Sequence, residues 1–149
     1  MSQRENVGSN EWPSIFSAIA IEHMEHPLNV GSIDHPDGMA VINGSCGDTM
    51  EIWLKVKNNN ICDIKFWTDG CETTIAAGSV ATVLAKDKSI TAAFNITAQD
   101  ILDALGGLPE DSQHCAALAA NTLRAALSDY LELKKDPWKR LYRRNSAVT

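Results

Sequence analysis

Residues 50–66 place the strongest constraint on what this chain can fold into. Met50, Ile52, Leu54 and Val56 alternate with Glu51, Trp53, Lys55 and Lys57, the period-two pattern of a half-buried strand. Asn58-Asn59-Asn60 follows, and asparagine tolerates the positive φ that a tight hairpin needs. A further run puts Cys62, Ile64 and Phe66 on one face and Asp63 and Lys65 on the other. A short apolar strand at Met39–Ile42, with a turn or bulge at Asn43-Gly44, precedes them. Connections this short dictate antiparallel pairing. A three-stranded sheet with one apolar face must then be covered by helices.

The flanking sequence supplies those helices. Ser14 can cap a first helix to about Glu25 that carries Ile15, Ala18, Ile19 and Ile21, and His26-Pro27 ends it. A loop rich in Asn, Asp, Gly and Pro runs from there to Gly38. After Asp69-Gly70, a helix from near Cys71 to about Lys86 spaces Ala76, Val80, Val83 and Leu84 along one face. A short helix fits Ser89–Phe94, and Thr97 caps another over Ala98–Leu105 that Gly106-Gly107 terminates. The last helix follows Leu108-Pro109, with Asp111 or Ser112 as its cap and Ala119, Leu123, Ala126, Leu127 and Tyr130 as its apolar stripe, and frays before Pro137. The expected architecture is α+β, in α-β-β-β-α-α-α order, with the helices packed on the sheet's apolar face.

Length and charge narrow the function classes. At 149 residues the chain fits one domain. We read 1–13 as a flexible lead-in, 14–134 as the folded domain and 135–149 as a basic tail. A net charge of −6 argues against nucleic acid as the main partner. Lys134, Lys135, Lys139, Arg140, Arg143 and Arg144 crowd the end and leave the body more acidic. That tail reads first as a solvated extension and second as a docking segment for an acidic partner. No apolar run approaches a membrane span and no signal-like segment opens the chain, so a cytoplasmic monomer or weak homo-oligomer is expected. Four cysteines in that setting point to metal or sulfur chemistry rather than disulfides.

Three of those cysteines sit at element ends: Cys46-Gly47-Asp48, Gly70-Cys71 and His114-Cys115. None forms a C-x-x-C pair, which excludes the zinc-ribbon and thioredoxin patterns. Cys71 and Cys115 begin predicted helices, where free amide N–H groups and the helix dipole favour a thiolate. Thiolates suit iron–sulfur, zinc or Cu(I), and Asp48 and His114 would add harder donors. Cys62 shares a strand face with Ile64 and Phe66 and reads as a small buried hydrophobe. His23, His26 and His35 read as surface or loop residues. A Cys–His hydrolase built on Cys115 and His114 lacks an orienting acid and an oxyanion loop.

These segments together resemble a family. His26-Pro27-Leu28-Asn29-Val30-Gly31-Ser32 resembles the N-P-x-N-V-G-S segment of IscU/NifU-type iron–sulfur cluster assembly scaffolds. Cys46-Gly47-Asp48 is similar to their C-G-D, Phe66 through Cys71 to F-K-T-x-G-C, and Leu108 through Cys115 to L-P-x-x-K-x-H-C. Order and spacing agree from about residue 22 to 132. The resemblance implies a scaffold, not a turnover enzyme, on which iron and sulfur from a cysteine desulfurase form a transient [2Fe–2S] cluster for acceptor apoproteins. It implies Cys46, Cys71 and Cys115 as ligands, Asp48 and His114 as candidates for an exchangeable fourth position, and Cys115 as first persulfide acceptor. A zinc-binding sulfur-transfer acceptor of the same fold is the alternative, since the same donors suit tetrahedral zinc.

Two segments depart from the family. The chaperone-contact segment L-P-P-V-K reads Leu108-Pro109-Glu110-Asp111-Ser112, so the resemblance does not extend to binding an Hsp70-type chaperone. Glu72-Thr73-Thr74 replaces the small, apolar residues usual after the second cysteine.

Overall fold

The computed structural model describes residues 15–139 and 141. The expected lead-in, the Ser14 cap and most of the basic tail, including Arg140, Arg143 and Arg144, lie outside the described residues.

Three antiparallel strands, β1 (Gly38–Asn43), β2 (Thr49–Lys57) and β3 (Asn60–Thr68), form one sheet in the order β1-β2-β3. Asn58 and Asn59 close the second hairpin with φ of 54° and 64°, the conformation for which asparagine is suited. Asn29 and Gly31 hydrogen-bond Phe66 on the far edge of β3 (2.9 Å each), which covers part of that edge.

The alternation in β2 runs as the sequence predicts, with Met50, Ile52 and Leu54 fully buried. In β3 it does not. Lys55 pairs with Asp63 but Val56 pairs with Ile61, so Cys62 is the extra residue of a bulge. The bulge turns Ile61 and Ile64 both inward and leaves Cys62 exposed, correcting its reading as a buried hydrophobe.

Among the described residues, five α-helices complete the fold: α1 (Ala18–Glu25), α2 (Glu72–Ala85), α3 (Ile90–Phe94), α4 (Ala98–Ala104) and α5 (His114–Lys135). Ser17 caps α1 by accepting the Ala20 amide at 2.9 Å, and its hydroxyl also donates to the Leu105 carbonyl. The core face of α1 is Ala20 and Met24, while Ile15 and Ile19 are 64% and 52% exposed. Thr97 caps α4 in a reciprocal capping box with Asp100. A 3₁₀ turn at Glu110–Ser112 precedes α5, so neither Asp111 nor Ser112 caps it; Gln113 occupies that position without a side-chain cap bond.

Close approaches set the helices on the sheet. A Cβ at Gly78 of α2 would lie 2.5 Å from the Phe66 ring, and one at Gly38 of β1 would lie 2.6 Å from the Ala126 carbonyl oxygen of α5. The side chain missing at each position lets backbone and ring come together. Buried α2 residues on several sides, Ala76, Ala77, Ser79, Val80, Ala81 and Ala85 among them, show it sandwiched, whereas Val83 is exposed. His23 of α1 is half-buried, with Nδ1 2.7 Å from Ser79 Oγ of α2, so it is not a surface residue. Ser79 Oγ also accepts the Leu28 amide at 2.9 Å. The apolar stripe of α5 is buried at Ala119, Leu123, Ala126 and Leu127.

Candidate functional site

One end of the sheet gathers the chemistry. Antiparallel pairing brings the start of β2 beside the end of β3, so the β1–β2 loop and the β3–α2 junction are neighbours. The loop is closed by the Gly44 amide donating to the Asp48 carbonyl at 2.7 Å and turns at Gly47, whose φ is +94°. That fold leaves Cys46 exposed and Asp48 half-buried. The junction is pinned by the Thr49 amide donating to Asp69 Oδ1 at 2.8 Å and by Thr68 Oγ1 donating to the Thr49 carbonyl at 2.6 Å. Cys71 then takes the N-cap position of α2 with extended backbone. Cys115 enters from the first turn of α5.

Two hydroxyls tie these parts together. Thr73 Oγ1 lies 3.1 Å from Cys71 Sγ and 3.4 Å from Cys115 Sγ. Thr74 Oγ1 lies 3.3 Å from Cys115 Sγ and donates to Asp48 Oδ2 at 2.9 Å. His114 Nε2 stands 3.7 Å from Cys115 Sγ. Among the described residues, no three His, Cys, Asp or Glu side chains form a ready metal cage. Threonine oxygens stand between the thiols instead.

The two helix-start thiols differ in acidity. Burial works against ionisation at Cys71, but hydrogen bonds from the Thr73 hydroxyl and the Thr73 and Thr74 amides outweigh it and lower the pKa. At Cys115, only 1% exposed, burial dominates and raises the pKa despite the Thr73 hydroxyl. The neighbouring charges of Cys71 and Cys46 push it the same way. The expectation that a helix start favours the thiolate therefore holds for Cys71 and fails for Cys115, where lost hydration is the largest influence.

Sequence reasoning noted Thr73 and Thr74 only as a departure. Their signal was two β-branched hydroxyl residues directly after a cysteine, at positions the fold buries.

An antiparallel α+β sheet with cysteines at three element ends defines a class, and comparison with known proteins gives it a family. The chain belongs to the NifU-like N terminal domain family, whose model matches residues 15–136. It is 47% identical over 117 residues to the iron-sulfur cluster assembly scaffold protein IscU 1 of Archaeoglobus fulgidus, covering 78% of this chain and 76% of the relative. It is 40% identical over 119 residues to the iron-sulfur cluster assembly scaffold protein IscU of Aquifex aeolicus, with the same coverages. In fold it is similar to a nitrogen-fixing NifU-like protein (N-terminal) from Brucella abortus, with a TM-score of 0.62 and 18% identity over 79% of this chain and 95% of that one.

Proposed function

We propose that the chain is a scaffold for iron–sulfur cluster assembly, with the cluster as its cargo. The carrying observation is that Cys71 and Cys115 share the Thr73 hydroxyl at the sheet end that also holds the Cys46 loop and Asp48. The names and identities of the relatives support the same reading. The donors fit the cargo: thiolates are soft ligands for iron and sulfide-bridged clusters, and a carboxylate beside them is a poorly matched, exchangeable donor. Cys46, Cys71 and Cys115 are the proposed ligands of a [2Fe–2S] cluster, with Asp48 or His114 completing the set.

Loading requires the threonine hydroxyls to give up their sulfur contacts and the Cys46 loop to close over the site. Gly47 gives that loop room, since a Cβ there would meet nothing within 4 Å. Sulfur would come from a cysteine desulfurase, and the cluster would pass to acceptor apoproteins. Delivery to Cys115, the acceptor that the resemblance implies, needs the site to open, because that thiol is buried. Where the family's chaperone-contact segment has a second proline and a lysine, this chain exposes Glu110 and Asp111, which puts binding of the dedicated Hsp70-type chaperone in doubt. Among the described residues, no helix is long and apolar enough to cross a membrane.

Anaerobic purification and reconstitution, with iron, sulfide and zinc measured per chain, test the reading. Iron and acid-labile sulfide in equal amounts, lost on removal of Cys46, Cys71 or Cys115, are expected. Stoichiometric zinc that resists exchange, with no cluster after reconstitution, would replace the scaffold by the zinc-binding sulfur acceptor.

A further inference from the structure

Thr74 is fully buried at the first turn of α2, and its one hydroxyl proton goes to Asp48 Oδ2. Its 3.3 Å contact with Cys115 Sγ therefore uses an oxygen lone pair, with the thiol as donor. Nothing about the position is slack. A β-branched side chain on a helix has few χ1 options, and burial keeps water from replacing the bond. Gly70 makes room for it: a Cβ there would lie 2.6 Å from Asp48 Oδ2 and 2.7 Å from Thr74 Cβ. The backbone of Gly70 does not need glycine for a positive φ, so the requirement is space for this pair.

We propose that Thr74 is a positioning residue that caps one oxygen of Asp48, so that this carboxylate reaches a bound cation through Oδ1 alone. The proposal rests on the reading of Asp48 as a metal donor given above. A carboxylate held in this way is disfavoured from chelating through both oxygens, because Oδ2 already spends lone-pair density on a charge-assisted hydrogen bond that chelation would weaken. Its grip on the cargo is weakened from behind. Thr74 thereby tunes release at a site whose thiolates alone would retain metal, and it does so without touching the metal.

Cobalt(II), a spectroscopic stand-in that reports its donor set in its ligand-field bands, gives the test. Thr74→Val keeps the branched shape and removes the hydroxyl; Thr74→Ala is a smaller hydroxyl-free variant; Thr74→Ser restores the donor. In both hydroxyl-free variants the ligand-field bands should shift as the second carboxylate oxygen enters. Removal of cobalt by a chelator should slow roughly tenfold, the scale of one charge-assisted hydrogen bond. Thr74→Ser should behave as the parent, and in an Asp48→Ala background Thr74→Val should change neither quantity. Parent-like bands and rates in the hydroxyl-free variants would overturn the proposal, as would an effect that survives in Asp48→Ala. Failure of both hydroxyl-free variants to fold while Thr74→Ser folds would make the role structural and overturn it too, as would a parent that takes up no cobalt. Iron and sulfide reconstitution of the parent runs alongside. A parent that binds cobalt through thiolates yet builds no cluster removes the scaffold reading and leaves the Thr74 result standing.

Discussion

A thiol ionises where hydrogen-bond donors reach it and water stays near, and on that condition Cys71 and Cys115 divide although each begins a helix. In the unloaded chain, limiting iodoacetamide should modify Cys46, Cys62 and Cys71 well before Cys115, because only Cys115 is buried. Peptide mass spectrometry reads the order, and early labelling of Cys115 would show the site standing open. The sequence made the positions of these cysteines legible, since each motif sits at an element end. It could not show which thiol the packing of α5 on the sheet would bury. His23 illustrates the same limit, because its partner Ser79 lies 56 positions away. Burial, partly offset by the charge of Glu22, lowers its pKa below 6.5. The unfolded chain therefore binds the extra proton first, and stability should fall as pH drops from about 6.5 through the folded value. His23→Gln should flatten that stretch of a urea-midpoint profile against pH, and an unchanged slope would remove His23 as its source.

At the scale of elements, periodicity carried most of the fold. The β2 alternation and the Asn58-Asn59 turn define the hairpin, and the α5 stripe defines its covering helix. A bulge leaves no such trace, since one inserted residue in β3 has neither a glycine nor a proline to mark it. That is why Cys62 looked inward by counting and points outward in fact. Its replacement should be nearly silent: Cys62→Ala should shift stability by no more than about 0.5 kcal/mol, as exposed positions usually do. A loss above about 1 kcal/mol in chemical denaturation would mean that the bulged thiol packs after all. Gly78→Ala is the opposite case. Alanine normally favours a helix over glycine, but here the new methyl meets the Phe66 ring at 2.5 Å. Overpacking of this kind costs about 1–3 kcal/mol, so destabilisation is expected where helix propensity alone predicts a gain. A variant as stable as the parent would show that Phe66 can move aside.

Taken as a whole, the molecule has two ends that should answer differently to its cargo. Cys46, Cys71 and Cys115 belong to three chain segments that meet at one end of the sheet. At the other end lie the Asn58-Asn59 hairpin and the Asp87–Ile90 connection, held by the Asp87 amide donating to the Ile61 carbonyl at 2.8 Å and the Ile90 amide donating to the Asn59 carbonyl at 3.1 Å. A metal bound by thiols from all three segments cross-links them, and any ligand of the native state alone adds about 2.7 kcal/mol when free at one hundred times its Kd. For a domain of this size that corresponds to roughly 10 °C in Tm. Local opening should respond unevenly, because amides exchange through sub-global fluctuations as well as global unfolding. Zinc-loaded and metal-free chains compared by hydrogen exchange at short labelling times should differ over 44–48, 69–74 and 113–118. The hairpin at 58–59 and the connection at 87–90 should exchange alike in both. Protection confined to 69–74 and 113–118 would leave Cys46 outside the ligand set. A uniform gain across the sheet would mean that metal acts only by suppressing global unfolding, with no local closure of the Cys46 loop.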